Sequence, residues 1–132
     1  MNRKDFERWI EAYERAWRTP GTAGLSDLFT KSATYSTAPF EVPHEGLAAI
    51  SELWEAEREG PDEAFAFTWE LVAVEGETGV ARVEVSYGEP AERLYRDLWL
   101  ISLAPDGRCR AFEEWPFWPP GSVGSYAAGP SS

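Results

Sequence analysis

The 132-residue chain is poor in the residues that build covalent or metal staples. It has one cysteine, one histidine and one methionine. A lone cysteine, Cys109, excludes an internal disulfide, and with His44 as the one histidine there is no structural zinc site of the Cys/His type. No apolar run approaches the roughly 20 residues needed to span a bilayer. The opening segment MNRKDFERW lacks the apolar stretch of a signal peptide, so a cytoplasmic location is expected. Positive charge is also scarce: 12 Lys+Arg against 23 Asp+Glu give a formal net charge of −11. That balance speaks against nucleic acid or an anionic membrane as partner. What is abundant is aromatic surface, with seven tryptophans, five tyrosines and seven phenylalanines. A chain of 14.8 kDa buries about two-thirds of its unfolded surface, enough for one core. Such a core does not require seven indoles, so the question is what they surround.

The first half of the chain carries helical periodicity. Phe6, Trp9, Ile10, Tyr13, Ala16 and Trp17 follow the i, i+3, i+4, i+7 spacing of an amphipathic helix, with Asn2 and Asp5 as its N-terminal cap and Pro20-Gly21 as its stop. A second, short helix is expected over 22–29 with Leu25, Leu28 and Phe29 inward, followed by a short strand over 32–37. The segment 38–46 contains two prolines and reads as a loop. Leu47, Ile50, Leu53 and Trp54 restore helical spacing until Gly60-Pro61.

The second half switches to period two. Phe65, Phe67, Trp69 and Leu71 alternate with smaller or polar residues up to Gly76. A second strand carries Ala81, Val83, Val85 and Tyr87, a third runs over 93–103, and Pro105-Asp106-Gly107 turns the chain into a last strand from Cys109 to about Phe117. Residues 1–120 then form one domain, and 121–132, rich in Gly, Ser, Ala and Pro, form a flexible tail. Helices followed by an antiparallel meander give an α+β architecture. Three N-terminal helices would pack on a strongly curved antiparallel sheet, forming a cone with an internal pocket.

The run Ala33-Thr34-Tyr35, then Pro39-Phe40, Pro43, Gly46 and Ala49-Ile50, resembles the strand, loop and third-helix signature of the nuclear transport factor 2-like superfamily, in particular its SnoaL-like branch. Asp106-Gly107-Arg108 followed by Glu113-Glu114-Trp115 resembles the final hairpin of that superfamily. The superfamily includes ketosteroid isomerase, limonene epoxide hydrolase, polyketide cyclases and scytalone dehydratase, so the resemblance implies where a ligand would sit rather than a single chemistry. Compared with ketosteroid isomerase, the oxyanion-hole tyrosine falls on Tyr13. The general-base aspartate falls on Thr37 or Ala38, and the oxyanion-hole aspartate on Trp99. Steroid-type isomerisation therefore lacks its base here.

The same resemblance sets strand parity: if Trp99 faces the cavity, so do Arg93, Tyr95, Asp97 and Ile101. A three-residue turn at 105–107 places Glu113 and Trp115 on the cavity face, and a two-residue turn would place Glu114 there instead. Asp97 and Glu113 are the candidate acid and base, and Tyr13 the candidate donor to a ligand oxygen. Carboxylates on an apolar concave face are the kind of group whose proton affinity shifts. The competing reading makes them rim residues paired with arginine. Trp17, Tyr35, Phe40, His44, Trp54, Trp69, Tyr95, Trp99 and Trp115 are candidate ligand-lining residues, with ordinary core packing as the alternative. Cys109 reads as a buried, inert thiol. No metal and no cofactor is called for. The expected partner is a small hydrophobic or aromatic molecule, turned over by acid–base chemistry of isomerase, cyclase or lyase type. A homodimer through the outer sheet face, where Val72, Val74, Leu98 and Leu100 are expected, completes the reading. The alternative is a non-catalytic dimeric interaction protein whose cone is filled by its own tryptophans.

Overall fold

A computed structural model describes residues 1–57, 65–87 and 93–119. The expected helix stop at Gly60-Pro61, the turn at Gly88-Glu89-Pro90 and the tail from Gly121 lie outside the described residues. Helix α1 spans Arg3–Arg18. Its start is a reciprocal cap: Asp5 N donates to Asn2 Oδ1 at 3.1 Å, and Asn2 N donates to Asp5 Oδ2 at 2.9 Å. Its apolar stripe of Phe6, Trp9, Ile10 and Tyr13 is buried. Helix α2 is a single turn, Leu25–Leu28, shorter than its spacing suggested, because Phe29 already opens strand β1 (Phe29–Ser36) by pairing with Cys109. Ladder bonds to a distant strand outcompete local helical spacing here. Trp9 Nε1 donates to Leu28 O at 2.9 Å and ties the two helices together.

The two-proline loop is interrupted by a two-residue strand, β2 (His44–Glu45), antiparallel to Tyr35 and Thr34. His44 is therefore an edge-strand residue rather than a loop residue. Gly46, with φ of +90°, then turns the chain into α3 (Leu47–Glu57). Strands β3 (Phe65–Glu75), β4 (Thr78–Tyr87), β5 (Arg93–Leu103) and β6 (Cys109–Phe117) form the expected antiparallel meander. The sheet order is β2-β1-β6-β5-β4-β3, with β1 parallel to β6. This is a mixed α+β fold with helices packed on one curved six-stranded sheet. Close approach of helix to sheet is set at Gly79, where a Cβ would lie 2.5 Å from Phe6 Cδ1. Among the described residues no helix is long and apolar enough to cross a membrane.

Two bulges reset side-chain parity. In β3, Leu71 pairs with Ala81 and Ala73 with Val80, leaving Val72 extra. Leu71 and Val74 consequently both meet the core, so Val74 does not join the outer face, where Val72 remains exposed. Arg3 Nη2 donates to Leu71 O at 2.8 Å beside this bulge. In β6, Leu103 pairs with Cys109 but Ser102 with Ala111, leaving Arg110 extra. Its guanidinium is held outside by Ser102 Oγ and the Glu77 carboxylate.

Candidate functional site

The inner face of the sheet is built by alternation. On β5 the inward residues are Tyr95, Asp97, Trp99 and Ile101, as the parity argument expects, with Asp97, Trp99 and Ile101 buried. On β4 they are Ala81, Val83 and Val85, all buried. On β6 the bulge decides. The turn is the three-residue one, with Ala104 N donating to Arg108 O at 2.7 Å and Gly107 at φ +91°. Yet the extra Arg110 shifts every later pair by one, so Trp99 faces Glu114 and Leu98 faces Trp115. Glu114, not Glu113, is the inward carboxylate. Glu113 and Trp115 stand on the outer face, where Trp115 Nε1 donates to Glu113 Oε2 at 2.6 Å and Trp115 is 36% exposed.

Asp97 and Glu114 are thus diagonal neighbours inside the cone. Asp97, 2% exposed, is the one buried charged residue among the described positions. Trp99 Nε1 donates to Asp97 Oδ2 at 3.1 Å, whereas Asp97 Oδ1 is buried with no hydrogen-bond partner. The half-buried Glu114 carboxyl stands against that of Asp97 on the inner face. Burial, then the hydrogen bond and negative charge of Asp97, then the charge of Glu57 hold the Glu114 carboxyl well above the usual carboxylate range. Burial also raises Asp97, opposed by the hydrogen bonds from Glu114 and Trp99. Both carboxyls of the pair therefore have raised proton affinity, Glu114 well above the usual range.

Above this pair lie two phenols. Tyr13, from α1, and Tyr35, from β1, place their hydroxyl oxygens 2.5 Å apart. Burial, with the nearby negative charge of Glu114, holds both well above the usual phenol range, so both remain neutral donors. One hydroxyl donates to the other, which leaves a second O–H proton to offer.

Aromatic rings surround these groups. Tyr13 lies 4.6 Å from Trp99, 5.1 Å from Trp54 and 5.6 Å from Phe112 between ring centroids, and Tyr35 lies 4.7 Å from Phe112. Trp17 packs on Trp54 at 4.8 Å. Trp54 and Trp99 are 1% and 3% exposed, so the rings pack closely at this deep end. Exposure rises toward Phe67, Trp69 and Tyr95, which are half-buried on the same inner face. The structure thus brings together Tyr13, Trp17, Tyr35, Trp54, Trp69, Tyr95, Asp97 and Trp99. Phe40 stays apart at 92% exposure, because its loop projects beyond β1. Cys109 is buried, its thiol pushed up to about 12 by desolvation. Residue-level reasoning did not reach Phe112, which alternation from Glu114 would have marked.

Residues 6–113 match the family described as the SnoaL-like domain. The chain belongs to the SnoaL-like family. Solved structures agree on the fold. The SnoaL-like chain is 14% identical to SalBIII, an epoxide hydrolase/cyclase-like enzyme in pyran ring formation in the polyether salinomycin, covering 95% of this chain and 98% of that one at a TM-score of 0.71. It is 12% identical to a limonene-epoxide-hydrolase-like epoxide hydrolase from M. tuberculosis, with 86% and 83% covered and a TM-score of 0.67. It is 19% identical to a steroid delta-isomerase from Pseudomonas aeruginosa, with 85% and 79% covered and a TM-score of 0.62. No curated protein matches the chain in sequence. Among the described residues no group of three His, Cys, Asp or Glu side chains is placed to hold a metal ion.

Proposed function

We propose that this SnoaL-like protein binds a small, largely apolar metabolite at the wide end of its cone and turns it over by acid–base chemistry without a cofactor. The observation that carries the reading is the Asp97–Glu114 pair, two diagonal carboxyls of raised proton affinity on an aromatic inner face. A protonated Glu114 delivers its proton to a substrate oxygen while ionised Asp97 accepts one, and the Tyr13–Tyr35 pair donates to the charge that develops on oxygen. Support also comes from the fold, shared with SalBIII, an epoxide hydrolase/cyclase-like enzyme, and with a steroid delta-isomerase. The test is turnover across a panel of small aromatic ketones and epoxides. Asp97→Asn and Glu114→Gln are each expected to lower kcat by about 10²- to 10⁴-fold. Ligand-induced quenching of tryptophan fluorescence should persist in both. Full activity in both variants would remove the pair from the mechanism.

A second reading is favoured by the closely packed rings at the deep end: a binding or interaction protein with no turnover. It predicts saturable quenching with no product from any member of the panel. We also propose assembly as a homodimer through the outer sheet face, supported by the exposed Val72, Leu94, Trp115 and Phe117 on that face. Light scattering should give twice the 14.8 kDa chain mass, and the chain mass itself would rule the dimer out.

A further inference from the structure

The polar groups inside the cone are acidic in a graded series. Glu57, exposed at the end of α3, acts electrostatically on half-buried Glu114, which in turn faces buried Asp97. Asp97 Oδ1 ends that series with no partner, on the inner face and beside the Trp99 ring. Two further rings cover the same place: Tyr13 lies 4.6 Å and Phe67 5.6 Å from Trp99 between centroids. The arginines whose contacts are described point elsewhere. Arg82 pairs with Glu70, Arg96 with Glu84, Arg108 with Asp106 and Arg110 with Glu77, and no basic group acts on Asp97 or Glu114 among the described residues. A carboxylate oxygen, Oδ1, with no described donor and with π-faces beside it matches a cation carried on an organic skeleton. The chain charge of −11 would draw such a ligand in. A bare metal ion fits poorly, since no three potential ligands converge among the described residues.

We propose that the cone takes a protonated amine on an aromatic or apolar skeleton, its N–H bonded to Asp97 Oδ1 and its charge set against the rings of Trp99, Tyr13 and Phe67. This rests on the ligand-binding reading above and names its ligand class. Bringing a cation to the pair favours ionisation of Glu114. The proton it held leaves to solvent, so uptake of the ammonium is coupled to proton release. Among the described residues, the other titratable groups facing the pair are Tyr13 and Tyr35, which stay neutral, Tyr95 on the same strand as Asp97, and Glu57.

The experiment is isothermal titration calorimetry of the full chain with 2-phenylethylamine, 2-phenylethanol and phenylacetate near pH 7, in buffers of different ionisation enthalpy. The amine is expected to bind about tenfold or more tightly than the alcohol, with phenylacetate weakest. Its apparent enthalpy should vary with buffer as proton release requires, and that of the alcohol should not. Asp97→Asn, checked for folding by its melting transition, should bring the amine-to-alcohol ratio close to one. Should that variant fail to fold, Glu114→Gln must abolish the buffer dependence. An alcohol that binds as tightly as the amine overturns this inference and leaves the ligand-binding reading intact. If none of the three binds, both fall.

Discussion

The β5–β6 hairpin carries the same contact twice, once on each face. Inside, Trp99 Nε1 donates to Asp97 across one intervening residue, and outside, Trp115 Nε1 donates to Glu113 in the same i, i+2 relation. The outer pair stands in a ladder of solvated ion pairs, Arg96–Glu84 and Arg82–Glu70. The inner pair stands among buried rings with a second carboxyl against it. One motif is surface and the other a candidate for chemistry. What separates them is desolvation and a like-charged neighbour, not residue type, because water screens the outer carboxylate while burial raises the proton affinity of the inner one.

The comparison depends on the register of β6, and an alanine inserted between Phe112 and Glu113 should break it most severely. The insertion would move Glu113 opposite Trp99 and Trp115 opposite Asp97 on the inner face and turn Glu114 outward, burying a misplaced carboxylate and indole in a packed core. A loss of about 4 kcal/mol or more, or failure to fold, is expected in chemical denaturation. Arg110→Ala keeps the bulge and loses only the contacts to Glu77 and Ser102, so it should cost less than about 1 kcal/mol. Equal losses in the two variants would show that register does not set the faces. The same bulge marks the limit of what was legible in the sequence. Helix α1, the meander, the turn at 105–107 and the parity of β5 follow from periodicity and turn chemistry. Cys109 to Phe117 holds nothing that announces an extra residue, and Val72 in β3 is equally unmarked. Asp97 could therefore be found from alternation alone, whereas its partner could be narrowed only to Glu113 or Glu114.

Stability against pH sharpens the comparison next. Glu114 and Asp97 have raised proton affinity in the fold, so between the ordinary carboxylate range and their raised values the native state holds more protons than the unfolded chain. Stability should accordingly fall as pH rises above about 4 toward the raised values, by up to about 1.4 kcal/mol per pH unit for each proton retained. Glu114→Gln should flatten that fall in pH-resolved urea melts, and Glu113→Gln should leave it in place. A wild-type curve that rises over this interval would contradict the raised proton affinity of the pair.

Removing one indole donor at a time compares the two contacts directly. Trp99→Phe keeps a ring against Tyr13 and Phe112 but withdraws the donor from a buried carboxylate. It should cost about 2–3 kcal/mol, including lost packing, and raise the proton affinity of Asp97 further.

Trp115→Phe withdraws the equivalent donor from Glu113 on the outer face, where solvent replaces it. The expected change in unfolding free energy of a dilute, monomeric sample is within about 0.5 kcal/mol. A double-mutant cycle with Glu113→Gln should return coupling near zero, while the cycle of Trp99→Phe with Asp97→Asn should return about 1 kcal/mol or more. Similar coupling energies on the two faces would mean that burial does not distinguish them, and the chemical role assigned to the inner pair would lose its physical basis.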